Sequence, residues 1–344
     1  MKKTYFWLLL LCTLATMKAQ TTYYSKASAT DFTDVASWGT NTDGTGTSPG
    51  SISNADNFVI QNASAMTLPG NASVRQLTIN SGSLTVAANT LTVSKAGTFD
   101  STLNVAGGTL TVSGGNVIVN GNVVIVAGAT FNQSGGMITV DGNNSGSATG
   151  SVASGTVLFE VKSPLGTVNG GTITIVDPPA TGTAKSFGFN FTAGNVQWIG
   201  HTIRFGNGVS TDASGNANGF EFDTYIGTGG TQSLTGNIIV DGGSATNRWV
   251  SSSSASGNGS YIGGDLTINS GSELRNILGG GILSVAGNVI NNGILTTITT
   301  LSLSSRNATG GIISSSNSQA ISGSGIFRNS NNGFNGKFCK LNNK

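Results

Sequence analysis

Two carboxylates lie two residues apart in the segment Phe220-Glu221-Phe222-Asp223. On a β-strand, residues i and i+2 project from the same face, so Glu221 and Asp223 share one face and the phenylalanines share the other. Such a pair suits hydrolysis of a glycosidic bond or coordination of Ca²⁺, which prefers oxygen ligands. Asp212 could supplement a calcium site, although its loop lacks the EF-hand spacing. The alternative interpretation is an exposed polar face above an aromatic inner face.

His201 is the only histidine of the chain, which excludes histidine-rich metal sites and weakens any catalytic triad. Strand alternation places it on the same side as Ile199, Ile203 and Phe205. We therefore expect a partly buried histidine with satisfied hydrogen bonds rather than a catalytic base. Together with Trp198, it completes the candidate carbohydrate or calcium site. We assign no catalytic residue, and calcium is the only cofactor that the sequence suggests.

A seven-residue repeat indicates the elements that must position these residues. Each unit is an apolar-polar-apolar triplet, separated from the next by turns rich in glycine, asparagine and serine. The triplets begin at Leu77, Leu84, Leu91, Leu103, Leu110, Val117, Val124, Phe131 and Ile138, with an interruption at 94–102. A coiled coil is excluded because several glycines per heptad would each cost a helix about 1 kcal/mol. Alternation with period two instead indicates short strands with one buried face.

Three-residue strands between four-residue turns predict an all-β fold, a right-handed parallel β-helix (β-solenoid), in which each strand pairs with its equivalent one coil away. Two or three heptads would close a coil, giving 14 or 21 residues per turn, and we favour three faces. We expect glycine and asparagine at the corners because tight corners need a positive φ. Amide side chains stacked coil upon coil could also form hydrogen-bonded ladders.

The chain divides into four segments. Residues 1–20 have a positive n-region, an apolar h-region and the cleavage sequence Met17-Lys18-Ala19-Gln20, which is typical of a secretory signal peptide. Residues 21–60 are an N-terminal cap with Tyr23, Tyr24, Phe32 and Trp38, which either cover the first coil or form a sugar-stacking platform. The solenoid covers 61–330, with an irregular aromatic-rich excursion at about 187–226. Residues 331–344 form an unstructured or truncated tail.

Charge and cysteine content restrict the function classes. Without residues 1–20 the chain keeps 13 of its 16 basic residues against 14 acidic ones. So weak a field disfavours nucleic-acid binding. Only Cys339 remains after processing, so no intramolecular disulfide can form. We expect a secreted or cell-surface protein that does not span a membrane once it is processed.

The segments YYSKASATDFTDVASWGTNTDGTGTSPG and DNFVIQNASAMTL, followed by LTI and LTV coils, resemble the secreted repeat proteins of Bacteroidetes bacteria. The W…P…DNFVI sequence is also similar to G8-type modules, which stand at the start of β-helices. The resemblance implies display or release through type IX secretion, normally directed by a C-terminal sorting domain. The KFCKLNNK ending departs from such a domain. The resemblance assigns no catalytic residues.

Three functions follow as hypotheses. The first is a structural or adhesion protein that presents Thr, Ser and Asn to a glycan or cell surface and is not an enzyme. The second is a polysaccharide lyase or hydrolase that uses residues 198–225. The third is ice binding by outward threonines, which the seven-residue spacing weakens because it distributes them over different faces. Those threonines are Thr78, Thr85, Thr92, Thr111 and Thr139.

Overall fold

The computed structural model describes residues 20–94, 97–99, 102–142, 150–152, 157–176, 186–194, 196–208, 220–224, 233–241, 249–252, 260–276, 282–297, 300–302, 305–306, 312–313, 321–329 and 335–336. These residues form 35 β-strands and one short 3₁₀ helix, Val35–Ser37, and they contain no α-helix. The predicted signal peptide, Asp212 and the tail from 337 lie outside the described residues. Within the described part of the chain, no helix is long and apolar enough to span a membrane.

The strands are short throughout. In chain order the first eighteen are β1 (Thr22–Ser25), β2 (Trp38–Gly39), β3 (Asn57–Ile60), β4 (Ala65–Thr67), β5 (Ala72–Val74), β6 (Gln76–Ile79), β7 (Ser83–Val86), β8 (Thr90–Ser94), β9 (Gly97–Phe99), β10 (Leu103–Val105), β11 (Thr109–Val112), β12 (Asn116–Asn120), β13 (Val123–Ile125), β14 (Thr130–Gln133), β15 (Met137–Asp141), β16 (Gly150–Val152), β17 (Phe159–Val161) and β18 (Thr172–Ile175). The remaining strands are β19 (Ser186–Phe191), β20 (Thr202–Phe205), β21 (Phe220–Thr224), β22 (Asn237–Val240), β23 (Trp249–Ser252), β24 (Ser260–Ile262), β25 (Leu266–Ile268), β26 (Glu273–Asn276), β27 (Ile282–Val285), β28 (Val289–Asn291), β29 (Ile294–Thr297), β30 (Thr300–Ser302), β31 (Ser305–Arg306), β32 (Ile312–Ile313), β33 (Ile321–Ser322), β34 (Ile326–Asn329) and β35 (Asn335–Gly336).

Three stacks of mainly parallel strands contain most of these elements. Face A is a 14-stranded sheet with the order β2-β1-β3-β6-β10-β13-β17-β19-β21-β23-β26-β29-β34-β35. Face B has four strands, β4-β7-β11-β14, and face C has ten, β5-β8-β12-β15-β18-β20-β22-β25-β28-β33. Antiparallel pairing occurs at the two ends of face A, between β1 and β2 and between β34 and β35.

The chain visits the three faces in turn. The strands β6, β7 and β8 pair in parallel with β10, β11 and β12, and these pair with β13, β14 and β15. We call one such set of three strands a coil. Leu103 lies opposite Val123 and Thr109 lies opposite Thr130, so a regular coil has 20 or 21 residues. Of the two predicted periods, the structure has the longer one, with three strands to a coil.

The inward side of these strands is apolar, as the triplets predicted. Most triplets contribute two buried residues around a half-buried centre, for example Leu110 and Val112 around Thr111. Stacked side chains of this kind replace water with apolar contacts along the interior, at about 25 cal/mol for each Å² buried. The fully buried aliphatic columns are Leu77, Ile79, Leu84, Val86, Leu91, Val93, Leu103, Val105, Leu110, Val112, Val117, Val119, Ile138 and Val140.

One triplet has a different register from the prediction. The repeat placed Val124 and Val126 inside, but Val123 and Ile125 are the fully buried residues and Val124 is the outward residue opposite Asn104. The corner before β13 is one residue shorter than the heptad requires, and the following corner is one residue longer. Pairing with β10 fixes the register, because a slip of one residue would turn every side chain to the other side.

Glycine serves two purposes at the corners, the expected positive φ and a close approach between coils that was not expected. A Cβ atom on Gly108 would lie 2.3 Å from the carbonyl oxygen of Gly82, although Gly108 does not have a positive φ. Close approach of one coil to the next therefore requires glycine at this corner. A positive φ occurs at other corners, for example at Asn89 (62°) and Gly136 (67°).

Corner amides bond to backbone more than to each other. Asn71 accepts a hydrogen bond from the N–H of Thr90 at 2.8 Å, and Asn122 accepts one from Thr102 at 3.0 Å. Such bonds tie one coil to the next and satisfy backbone donors that the turns leave unpaired. On face B, the amide of Asn132 donates to the hydroxyl of Thr111 on the neighbouring strand and not to another amide.

Two interruptions of the repeat pair with each other. The strand β9 follows face C of one coil, β16 follows face C of a later coil, and the two form a separate parallel sheet. The excursions near 94–102 and 141–160 thus leave the three faces at the same point of a coil.

The N-terminal segment surrounds the beginning of face A with aromatic rings. Phe32 and Trp38 are fully buried, their rings lie 5.2 Å apart, and Trp38 also contacts Phe58 at 4.9 Å. The indole N–H of Trp38 donates to the carbonyl of Phe32 at 3.0 Å, so the ring is buried with its polar group satisfied. Tyr23 is only partly buried and stacks on Phe58.

Candidate functional site

Trp198 and His201 lie inside the molecule rather than on an exposed platform. They belong to a group of rings that we call the aromatic cluster, formed by Phe131, Phe159, Phe189, Phe191, Trp198 and His201. Trp198 is 5% exposed and lies 4.9 Å from Phe191 and 5.5 Å from Phe131, measured between ring centroids. Its phenylalanines come from strands of faces A and B, whereas face C keeps an aliphatic inner column through Ile138, Ile173 and Ile203.

His201 is fully buried, and neither ring nitrogen has a hydrogen-bond partner. Its ring packs edge-on against Trp198 at 5.3 Å. Burial lowers the pKa of His201 to about 4. The nearby backbone of Gly170 and Gly171 acts in the opposite direction but offsets only part of this shift, because neither contact has the geometry of a hydrogen bond. The imidazole is therefore neutral at neutral pH and packs against the ring of Trp198.

The expectation for this histidine was wrong in two respects. We expected partial burial with satisfied hydrogen bonds, whereas the ring is buried completely and is unpartnered. Ile199 was placed on the same side, but it lies in a turn and is 50% exposed. Ile203 and Phe205 do share the buried side with His201. The strand β20 begins only at Thr202, so alternation does not extend back to Ile199.

Glu221 and Asp223 lie on β21 of face A, two residues apart as predicted. Asp223 lies opposite Asn190 in the pairing with β19, and Glu221 lies opposite Phe187. The register shifts between Phe187 and Phe189. The three residues of β21 from Glu221 to Asp223 therefore lie opposite four residues of β19, from Phe187 to Asn190. Asp212, the third acidic residue of the candidate site, lies outside the described residues.

Other acidic residues have basic or backbone partners. Asp241 forms an ion pair with Arg204, Glu160 with Lys162 at 3.0 Å, and Glu273 with Arg275. No group of three or more His, Cys, Asp or Glu residues comes together among the described residues in a way that could hold a metal ion.

Face B carries a regular outward arrangement that we call the hydroxyl array. Two columns run across its four strands, one through the residue before each buried Leu, Met or Phe and one through the residue after it. The first column is Ala65, Ser83, Thr109 and Thr130, and the second is Thr67, Thr85, Thr111 and Asn132. Neighbouring positions are about 4.8 Å apart across the strands and about 7 Å apart along a strand. The array is exposed at Thr67 and half-exposed further along.

The threonines considered from the sequence divide over all three faces. Thr78 is on face A, Thr92 and Thr139 are on face C, and Thr85 and Thr111 are neighbours on face B. The sequence hypothesis used only the central residue of each triplet, so it did not include the first column of the array. The residue before each triplet, as in Thr109-Leu110-Thr111, shows the same outward alternation and could have revealed it.

The hydroxyl array ends at a defined residue. The side-chain amide of Asn132 donates to the hydroxyl of Thr111 at 3.3 Å, and its oxygen accepts from the N–H of Thr167 at 2.9 Å. Among the described residues that follow β14, face B first continues through isolated bridges such as Gln133 with Val168, and a separate parallel sheet of β24, β27 and β30 then lies, in chain order, between the face A and face C strands of the later coils. No known protein family, curated protein or solved structure matches this chain.

Proposed function

We propose that this chain is an exported structural or adhesion protein whose three faces wrap into a right-handed parallel β-solenoid and bind a glycan or cell surface. The observation that carries the proposal is the hydroxyl array on face B, which repeats the same polar groups at the strand spacing. A surface of hydroxyls and amides matches the hydroxyls of a polysaccharide in both donor and acceptor capacity.

The charge and the periodicity support this function. A near-neutral surface attracts neither polyanions nor anionic membranes over long distance. Affinity for an extended ligand would instead come from many weak contacts repeated along the array, and such contacts add through multivalency. The weak single contacts expected of neutral hydroxyls are compatible with this mode of binding.

The alternative of a polysaccharide lyase or hydrolase at residues 198–225 gains little from the structure. Trp198 and His201 are buried in the aromatic cluster, so neither offers a surface for a sugar or a base for a reaction. The carboxylates Glu221 and Asp223 would have to act without either of them.

Ice binding is the second candidate, because the hydroxyl array gives it a specific basis. Thr85 and Thr111 on adjacent strands, with Ser83 and Thr109 beside them, form a flat two-dimensional lattice of hydroxyls. Thermal hysteresis of the purified protein would distinguish this candidate, since adhesion to a glycan predicts no hysteresis.

The test of the first proposal compares two faces with matched substitutions. The double variant Thr85→Glu, Thr111→Glu changes two neighbouring outward positions of face B, and the double variant Ser73→Glu, Thr92→Glu changes two neighbouring outward positions of face C. We expect the face B variant to lose binding to immobilised polysaccharides or cells by tenfold or more, with the face C variant unchanged. Equal binding by both variants would remove the array from the proposal. Release of new reducing ends or unsaturated products from the polysaccharides would favour the enzyme.

A further inference from the structure

Face B continues for one row beyond the hydroxyl array. The backbone N–H of Phe131 donates to the carbonyl of Leu165 at 3.2 Å, and the N–H of Gln133 donates to the carbonyl of Thr167 at 2.9 Å. This parallel pairing places Leu165 after the last residue of the first column and Thr167 after the last residue of the second column. Both residues are exposed, and Leu165 is 51% exposed. We call the hydroxyl array together with this row the five-row surface.

The five-row surface is longer than it is wide. Its rows span about 19 Å across the strands at the strand spacing of about 4.8 Å, whereas its two columns are only about 7 Å apart. A linear ligand that crosses the strands therefore meets five rows. A ligand that runs parallel to the strands meets two outward positions before the chain turns at a corner. The direction across the strands thus offers an extended ligand the larger number of contacts.

The outward positions of the five-row surface carry no charge. Seven of the ten are Ser or Thr, one is Asn132, and the other two are Ala65 and Leu165, at opposite ends of the first column. A hydroxyl both donates and accepts hydrogen bonds, so it can pair with another hydroxyl in either direction. A ligand with a fixed charge would find no opposite charge among these positions. The surface therefore favours an uncharged ligand that is rich in hydroxyls.

A straight chain of six-membered sugar rings has the matching repeat. When both bonds that join each ring to its neighbours are equatorial, the chain is a ribbon that advances by about one ring length per unit, close to the strand spacing of about 4.8 Å. Hydroxyls line both edges of the ribbon and would meet the two columns. Chains with axial linkages coil, so their successive units leave a flat surface. The C–H face of the ring over Leu165 would remove apolar surface from water.

We propose that face B binds a straight, uncharged polysaccharide chain that crosses its strands, with one sugar unit over each row of the five-row surface. This inference rests on the proposed function, because it names the ligand class of the hydroxyl array. It adds a direction for the bound chain and a length of five sugar units.

The first experiment measures how affinity depends on the length and shape of the ligand. Linear β-1,4-linked oligomers of glucose, xylose, mannose and N-acetylglucosamine, from two to seven units, are titrated into the purified protein by calorimetry or ligand-observed NMR. In at least one of these straight series, affinity should rise about threefold or more with each unit up to five. It should stay level beyond five units, because a sixth unit has no row. An α-1,4-linked glucose oligomer of five units, which coils, should bind at least tenfold more weakly.

Substitution of one hydroxyl tests the row at the centre. Every set of three adjacent rows includes the row of Thr109, so Thr109→Val should weaken binding of oligomers of three or more units about threefold. Binding of two units should stay unchanged, because two adjacent rows remain intact on either side. Thr90→Val, at the equivalent position of β8 on face C, is the matched control. The ratio of the two affinities within one variant does not depend on how much of the protein is folded.

Truncation of the exposed leucine tests the last row. Leu165→Ala should weaken binding of five units or more about threefold and leave four units unchanged, since four units still find four complete rows. Met137→Ala removes another exposed apolar side chain, on face C, and should change neither affinity.

The outcomes separate this inference from the proposed function. Affinity that does not grow with length in any straight series, or equal binding of the coiled glucose oligomer, would reject the straight chain across face B. The proposed function would stand in that case if the face B double variant still loses polysaccharide or cell binding. If that double variant binds as the original protein does, the proposed function fails and this inference fails with it.

Discussion

The aliphatic coils (57–141) and the aromatic coils (157–241) use the same parallel pairing but fill their interiors differently. In the aliphatic coils three strands surround columns of Leu, Val and Ile, as at Leu84, Leu110 and Val117. In the aromatic coils the described part of face B has only isolated bridges, and the interior contains the aromatic cluster.

The difference shows how a stacked-strand protein can lose a strand without losing its core. Neighbouring strands of a face lie about 4.8 Å apart, so each inward position has room for one aliphatic side chain. Where the chain of face B no longer forms a strand, larger rings such as Phe159, Phe189 and Trp198 occupy the space, with centroids 5.6–6.3 Å apart. The interior of the aromatic coils is therefore less regular, and it encloses the ring of His201, whose nitrogens have no hydrogen-bond partner. Unpartnered buried polar atoms also occur in the aliphatic coils, at Thr102, Asn104 and Gln133.

The largest expected effect tests the interior of the aliphatic coils. Val112→Asp would bury an unpaired carboxylate at a fully buried position, and it should lower the free energy of unfolding by several kcal/mol. Thr111→Asp, on the neighbouring outward position, should cost less than about 1 kcal/mol. Chemical denaturation of both variants measures the difference. Equal losses would contradict the inward and outward assignment on which the comparison rests.

The next effect belongs to the aromatic coils and depends on pH. The pKa of His201 is about 4 in the folded protein and near 6.5 when unfolded, so the unfolded chain binds a proton first as the pH falls. Stability should be complete above about pH 6.5 and decrease by about 3 kcal/mol as the pH falls towards 4. His201→Leu should remove this part of the pH dependence and should not destabilise the protein at pH 7, because the lost ring nitrogens have no partners. Unfolding measured at several pH values tests both statements, and an unchanged pH profile in the variant would contradict them.

The smallest effect concerns the spacing of the aliphatic coils. A Cβ atom on Gly108 would lie 2.3 Å from the carbonyl oxygen of Gly82, so Gly108→Ala must push two coils apart. We expect a loss of about 1–3 kcal/mol, typical of overpacking. Gly50→Ala is the control, because nothing lies within 4 Å of the added atom. Thermal unfolding of the two variants measures the difference, and a Gly108→Ala protein as stable as the control would show that the corners can expand.

The sequence predicted the aliphatic coils well and the aromatic coils poorly. Alternation within Leu110-Thr111-Val112 is a local property of a strand, so inward and outward positions followed directly from the order of residues. The same argument failed at Val124, where a corner is one residue short, and at Ile199, which precedes its strand. In both cases the length of an irregular segment decided the register.

The candidate sites show the same division. The spacing of Glu221 and Asp223 on one strand was confirmed, since both lie on β21. The burial of Trp198 and His201 could not be read from their sequence neighbours. Four phenylalanines from β14, β17 and β19 surround Trp198, and Trp198 in turn packs against His201.

The sequence alone therefore determined that this chain forms short strands with one apolar side. The alternation of apolar and polar residues is local to each strand, so it can be read without knowing which strand pairs with it. Only the tertiary structure decided which triplets share a face, because the pairing of Thr85 with Thr111 depends on closing a loop of 26 residues through an excursion. It also decided that His201 is buried and that the hydroxyls of face B form two columns. Those features arise from contacts between coils, and the free energy that fixes them is gained only when distant segments have come together.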